Sequence, residues 1–337
     1  MSSTGHPPSR RPPTYPRAQI LSRVPALAKA IRYGGAPLMV IAGATAYATL
    51  AARHAPDALA VMAGLSGLGL VAIPLERLTG GLFRRSARRL AFDGFFTLLM
   101  IGLEVACVTF APPLFARLSA LLGFAPSSPF WPRALPFALQ TLLGLVIADF
   151  LAWAVHFLQH RHGESALWRM HSVHHSIDSL DLIGGTLNHP YDVLTAASTS
   201  MVILMLGGGA EVYTVVVMLN LFFNTIHHVN VDLEVGPFER VFMMPRAHAW
   251  HHGQWLESNV NFGHVLSIWD ILFGTYHCPR PFEGTFGLDT PYLIPMEVPA
   301  MLVAGASKRH YERYTQARQL APSASTAIPT NKICPFV

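Results

Sequence analysis

The chain has 337 residues, of which 51% are hydrophobic and 13% charged, against about 25% charged in a typical soluble domain. With a mean hydropathy of +0.36, that shortage of charge excludes an ordinary soluble globular protein and points to one that sits in a bilayer. The net charge of +5 does not mark a nucleic-acid binder, because the densest groups of basic residues lie in the N-terminal stretch and in one loop, and three scattered cysteines (Cys107, Cys278, Cys334) make neither a disulfide framework nor a thiolate metal site.

In chain order, residues 1–34 are polar, Pro-rich and basic, and lack the apolar core of a signal peptide. They read as a disordered tail. A spanning helix needs about 20 largely apolar residues. Four such runs follow, near 35–52, 58–75, 93–116 and 136–155. A further pair, near 193–209 and 212–226, is joined by so short a turn that it must form a hairpin. The expected architecture is therefore all-α and integral to the membrane, with four transmembrane helices plus a helical hairpin. From about residue 281 the chain is a C-terminal extension, and from about 321 it is Pro/Ser/Thr-rich and expected to be disordered.

Lys and Arg set the expected orientation. The tail carries Arg10, Arg11, Arg17, Arg23, Lys29 and Arg32 without an acidic residue, and the second loop carries Arg77, Arg84, Arg85, Arg88 and Arg89. Both are expected to face the cytoplasm. The fourth helix then ends on that side, where His156 begins the first histidine cluster. The hairpin leaves and returns, and its exit carries His227 and His228. Every histidine cluster thus falls on one side at one depth, although the charge rule takes no account of histidine.

There are 17 histidines, and 14 lie between His156 and His277. His156 and His160, in HFLQH, are four apart and share a helix face. His171, His174 and His175, in HSVHH, repeat the offsets of His248, His251 and His252, in HAWHH. In each triplet the first ring shares a face with both later ones, while the adjacent pair diverges by about 100°. Such a triplet can serve two neighbouring metals. Eight clustered imidazoles approach the roughly eight to ten ligands that two ions would take, and His189 and His228 are the candidates for the remainder. Neutral imidazole suits Zn, Cu, Fe and Ni, so ligand type does not choose the metal. The lone histidines His6, His54, His162, His264, His277 and His310, and His227 of its pair, read as structural or exposed.

These motifs resemble the fatty acid hydroxylase, or sterol desaturase, superfamily of integral-membrane diiron oxygenases. HFLQH, HSVHH and HAWHH are similar to its three histidine boxes. Asp149, Trp168, His189-Pro190, His228-Val229-Asn230 and the run from Asn261 to Tyr276 resemble elements around them. Two departures are Phe157 and Leu187, where the family often has Arg. The resemblance implies a catalytic domain over about 136–280, after an N-terminal transmembrane unit over 35–135. It implies a cytoplasmic helical cap over the membrane helices, with the metals between. It further implies two Fe ions, which Zn can replace in purified protein, and O2 as co-substrate. The ligands would be His156, His160, His171, His174, His175, His189, His228, His248, His251 and His252. Asp149 would orient a ligand ring, with Asp270 and Glu164 as lesser candidates. Partners would be a lipid substrate, the bilayer and an electron donor such as a cytochrome b5-, ferredoxin- or NAD(P)H-linked reductase. The expected location is a bacterial inner membrane, or the endoplasmic reticulum of a eukaryote. The expected reaction is hydroxylation of a lipid C–H bond, ahead of desaturation. A histidine-rich membrane metal transporter or sensor is the alternative, and it calls for polar or histidine residues along the helix middles. Glu104, inside the third run, is costly in a bilayer unless it pairs or faces a cavity.

Overall fold

The computed structural model describes residues 24–54, 57–79, 87–122, 130–161, 165–177, 179–253, 259–279, 286–288 and 298–309. The segments 1–23 and 310–337, Glu164, His6, His162, His310, Arg84, Arg85 and Cys334 lie outside these. Among the described residues the secondary structure is helical, with isolated bridges and no strand of a sheet.

Five helices are long and apolar enough to cross a membrane. They are α1 (Pro25–Ala51), α2 (Asp57–Thr79), α3 (Ala87–Leu121), α4 (Phe137–Arg161) and, later in the chain, α7 (Ala210–His228). The chain is an integral membrane protein. α1 starts ten residues before the apolar run expected at 35, because Pro25 stands in its first turn and pre-sets the helical φ. Pro37, Pro74, Pro112 and Pro113 lie inside α1, α2 and α3. Interior prolines are tolerated in a bilayer because neighbouring groups satisfy the freed carbonyls. α1 and α2 pack as a close pair. A Cβ at Gly67 would stand 2.7 Å from the Ala42 carbonyl oxygen, so the small residue permits the approach, as in other membrane helix pairs. Phe222 of α7 packs against Gly43 and Gly64 at the same junction.

The expected hairpin is α6 (Pro190–Met205) and α7, joined by the turn through Gly207 (φ +92°). At 16 residues, α6 is about 24 Å long, short of the roughly 30 Å hydrocarbon layer. Its first turn and the last turn of α7 meet the end of α4, so the hairpin leaves from and returns to one level.

The cap is built from short pieces at that level. They are α5 (Ala166–His175), α8 (Pro245–His251), α9 (Ile268–Leu272) and α10 (Val298–Ala306). Ser165 caps α5 by accepting from the Trp168 N–H at 3.1 Å. Phe96 and Met100 of α3 pack with Val173, Ile177 and Leu187, tying the cap to the membrane layer through an apolar cluster. Glu76, at the end of α2, accepts from the N–H groups of Leu182 and Asn230, both at 2.8 Å. One buried carboxylate thereby anchors the two loops that flank the histidine site.

Candidate metal centre

Nine histidines converge in two adjoining groups. His156, His160, His171, His175 and His251 form one; His174, His228, His248 and His252 form the other. Within each group one ring nitrogen per residue lies within 4.8 Å of the others, and all nine residues are buried. The triplets are shared out as their spacing predicts. His171 and His175 serve the first group and His174 the second, while His251 serves the first and His248 and His252 the second. The groups touch: His175 and His252 stack with ring centroids 4.5 Å apart, and those of His248 and His251 are 5.2 Å apart.

The backbone fixes which nitrogens face inward. Nδ1–H of His156 donates to Phe262 O at 2.7 Å, that of His251 to Val260 O at 2.8 Å and that of His228 to Asn224 O at 2.6 Å. That of His174 donates to Leu187 O, and that of His171 to the Asp192 carboxylate, both at 3.1 Å. With its proton held on Nδ1, each of these rings turns an Nε2 lone pair into the site. Those lone pairs face one another. Nε2 of His156 and His171 are 3.0 Å apart, as are those of His228 and His248, and those of His174 and His228 are 3.1 Å apart. No proton remains to bridge His156 to His171 or His174 to His228. At a metal–nitrogen distance of about 2.0–2.1 Å, two nitrogens on one ion lie roughly 2.9 Å apart at a right angle and roughly 3.4 Å apart at the tetrahedral angle. The separations fall in that interval. Both ring nitrogens of His160, Nε2 of His251 and Nδ1 of His248 and His252 are also buried without a hydrogen-bond partner. A buried unmet polar group costs about 1–3 kcal/mol, and a cation between the rings removes that cost for the one nitrogen of each ring that faces it. The residues therefore fit two metal ions. The all-imidazole set admits Fe or Zn alike.

Burial, then repulsion from neighbouring rings, holds His174, His175, His248 and His252 well below the usual imidazole range. Burial does the same at His251. The rings are neutral, the state a ligand needs.

The remaining expected site residues are placed differently. His189 lies outside both groups: its Nδ1 accepts the Tyr191 N–H at 3.1 Å, capping α6, and its Nε2 lies 3.3 Å from Leu302 O. Among the described residues Asp149 makes no hydrogen bond to an imidazole. It accepts from the N–H groups of Val265 (2.8 Å) and Leu266 (3.1 Å) and from Trp269 Nε1 (2.9 Å), pinning the loop 261–267 to α4. Asp270 holds the same loop through Phe262 N–H at 2.9 Å and Gly263 N–H at 2.8 Å. These carboxylates act one step back, by placing the Phe262 carbonyl that orients His156. The carboxylate that meets a ligand ring is Asp192, which also accepts from Gln159 Nε2 at 2.9 Å. In the sequence it reads as an acidic residue favoured in a first helical turn, and nothing in its spacing distinguishes it. His227 and His264 stay outside the groups. Both line a cavity between α3, α4, α6 and α7 that opens onto His156, His171, His174 and His248. Gly185 faces the side chain of His228 so closely that a Cβ there would collide with its ring.

Residues 141–275 match the fatty acid hydroxylase family model. The ornithine lipid hydroxylase OlsE of Rhizobium tropici is 40% identical over 164 residues, 48% of this chain and 49% of that protein. The alkylglycerol monooxygenase of Homo sapiens is 28% identical over 132 residues, 39% of this chain and 29% of that protein. That of Danio rerio is 28% identical over 139 residues, 40% of this chain and 30% of that protein. The chain thus matches half or less of the length of these relatives. No solved structure matches it.

Because burial depresses these imidazoles, the unfolded chain takes up protons that the folded chain refuses. Their contribution to stability is present above about pH 6.5 and is lost as pH falls below it. Thermal unfolding of the metal-free protein should show a falling midpoint on acidification from about pH 7; a rising one would contradict neutral rings. Asp192→Asn keeps the shape but weakens the hold on His171. It should lower metal affinity about 10–100-fold, measured by competition with a chelator.

Proposed function

We propose that the chain, whose residues 141–275 match the fatty acid hydroxylase family model, is a membrane-bound diiron oxygenase of that family that hydroxylates a C–H bond of a lipid. The observation that carries this reading is the set of inward-facing Nε2 lone pairs in two adjoining groups at the mouth of a bilayer-level cavity. His156, His160, His171, His175 and His251 would hold one iron, and His174, His228, His248 and His252 the other. When bound, such a pair supplies the activation of dioxygen for attack on an unactivated C–H bond.

The protein's own contributions are orientation and exclusion of water. The carbonyls of Phe262, Val260, Leu187 and Asn224 and the Asp192 carboxylate keep five of the rings in one tautomer, so little rearrangement of these is needed when metal arrives. Buried Trp153, Phe262 and Val265 wall the α4 side against solvent. The cavity gives a lipid chain a route from the membrane to the rings without passing through water.

The electrons would come from an external donor such as a cytochrome b5-, ferredoxin- or NAD(P)H-linked reductase. Hydroxylation is preferred to desaturation because the relatives named above are a hydroxylase and monooxygenases. The basic residues of the N-terminal segment and second loop favour a cytoplasmic site.

Two outcomes test this. Comparing the lipids of cells with and without the gene should reveal a species heavier by one oxygen, absent when His174→Ala replaces the wild type. Turnover retained in His174→Ala, with the variant still inserted, would overturn the assignment. Tags fused at either terminus should both be reached only from the cytoplasmic side; a tag reached from outside would break the proposed orientation.

A further inference from the structure

The cavity extends well past the metal end. Along α6 it is lined from Asp192 to Ser200, and along α7 from His227 back to Val217, spans of about 12 and 15 Å at 1.5 Å per residue. Its inner wall is not plain hydrocarbon. Thr195, Thr199 and Ser200 of α6, Asn220 of α7, and Glu104 and Cys107 of α3 line it.

The hydroxyl protons on that wall are already committed. Thr195 donates to Tyr191 O at 2.7 Å, and Thr199 and Ser200 both donate to Ala196 O, at 2.8 and 3.4 Å. Asn220 gives an N–H to Val216 O at 3.1 Å. What these groups present to the cavity is mainly oxygen lone pairs. Among the described residues no Lys or Arg lines it. Glu104 adds a carboxyl group within a membrane-spanning helix, half-buried against the cavity, with no hydrogen bond from any described residue. An ionisable side chain at such depth is costly unless it finds a partner. The α6 hydroxyls therefore offer the cavity acceptors rather than donors.

The level of Glu104 can be read from α3. The hydroxyl oxygens of Thr97 and Thr186 lie 2.5 Å apart, and the carbonyl of the next residue, Leu187, orients His174. Glu104 is seven residues further along the helix, about 10 Å deeper.

We propose that Glu104 is the polar anchor of the lipid cavity, binding a hydrogen-bond donor of the substrate, an ammonium or a hydroxyl, about 10 Å below the metal end. This rests on the oxygenase reading for the identity of the ligand as a substrate. It selects donor-bearing lipids over those whose polar group only accepts, and it disfavours a carboxylate or phosphate at that depth. By holding the donor at a fixed level, Glu104 sets which carbon reaches the rings.

Cys107, one turn from Glu104 and also on the cavity wall, reports occupancy without turnover. The full chain in lipid nanodiscs is labelled with N-ethylmaleimide, and modification is resolved by site, with Cys278 as the control outside the cavity. Octadecylamine, octadecanol and methyl octadecyl ether are the probes. The amine or the alcohol should protect Cys107 at concentrations roughly tenfold or more below the ether, the effect of one hydrogen bond to a charged group. Preferred protection by the amine identifies an ammonium, and by the alcohol a hydroxyl. Glu104→Leu should erase the preference, while Glu104→Gln should spare the alcohol and lose the amine. Equal protection by the ether in the wild type overturns the proposal even if neither variant folds, as does an unchanged preference in Glu104→Leu with Cys278 labelling unaltered. Donor-selective protection without any lipid oxygenation would leave this site standing and sink the oxygenase reading; oxygenation without donor selectivity would do the reverse.

Discussion

Nine imidazoles are pressed together, and the five whose Nδ1–H is bonded to a carbonyl or to Asp192 turn their lone pairs inward, an arrangement that repels itself. In water each ring would hydrogen-bond to solvent; here the nitrogens are sealed from it and point at one another about 3 Å apart. The interior does not screen that repulsion as water would. The fold holds five of the rings there by anchoring their other nitrogens to four carbonyls and one carboxylate, and cations between the rings would relieve the repulsion. Metal and fold would thus be coupled: binding energy from the ions would stabilise the cap that positions the ligands.

The anchors are themselves anchored. The loop carrying Phe262 is held by Asp149 of α4 and by Asp270 of α9, each of which satisfies backbone N–H groups. Asn261 lies at φ +56°, a left-handed conformation that Asn tolerates better than most residues. Its side chain bonds Ala247 and both polar backbone groups of His277. Buried carboxylates and amides here replace the hydrophobic packing that would suffice for a plain core. They are directional, and a metal site needs direction more than it needs adhesion.

The sequence made the histidines legible and left their supports obscure. The offsets of three and four in HSVHH and HAWHH are a helical signal, and they announce two centres because neighbours on a helix diverge. The spanning helices are legible because hydropathy is nearly sufficient in a bilayer. Asp149 and Asp192 illustrate the limit. Asp149 sits two turns from His156 along one helix and so invites pairing with it, yet its oxygens are claimed by a loop more than a hundred residues later. Asp192 looks like an ordinary first-turn acid, yet meets His171 because α6 crosses the end of α5. His189 fails to join either group for a similar reason: the Pro190 that follows it starts a helix, and the ring is used as that helix's cap. Long-range contacts chose among residues that local pattern left equivalent.

The repeated triplet also constrains the distance between the two centres. On α5, His171 and His175 point to one centre and His174 to the other; on α8, His248 and His252 serve one and His251 the other. Each helix therefore bridges both centres, and the sharing is inverted between them. The separation is set by the angle between neighbouring side chains on a helix, a quantity the backbone hydrogen bonds hold nearly fixed. Two helices imposing the same spacing from different directions leave little freedom for one centre to move without the other. A pair of ions held in this way is suited to chemistry that uses both at once, and the inverted sharing makes loss of either triplet a loss to both centres.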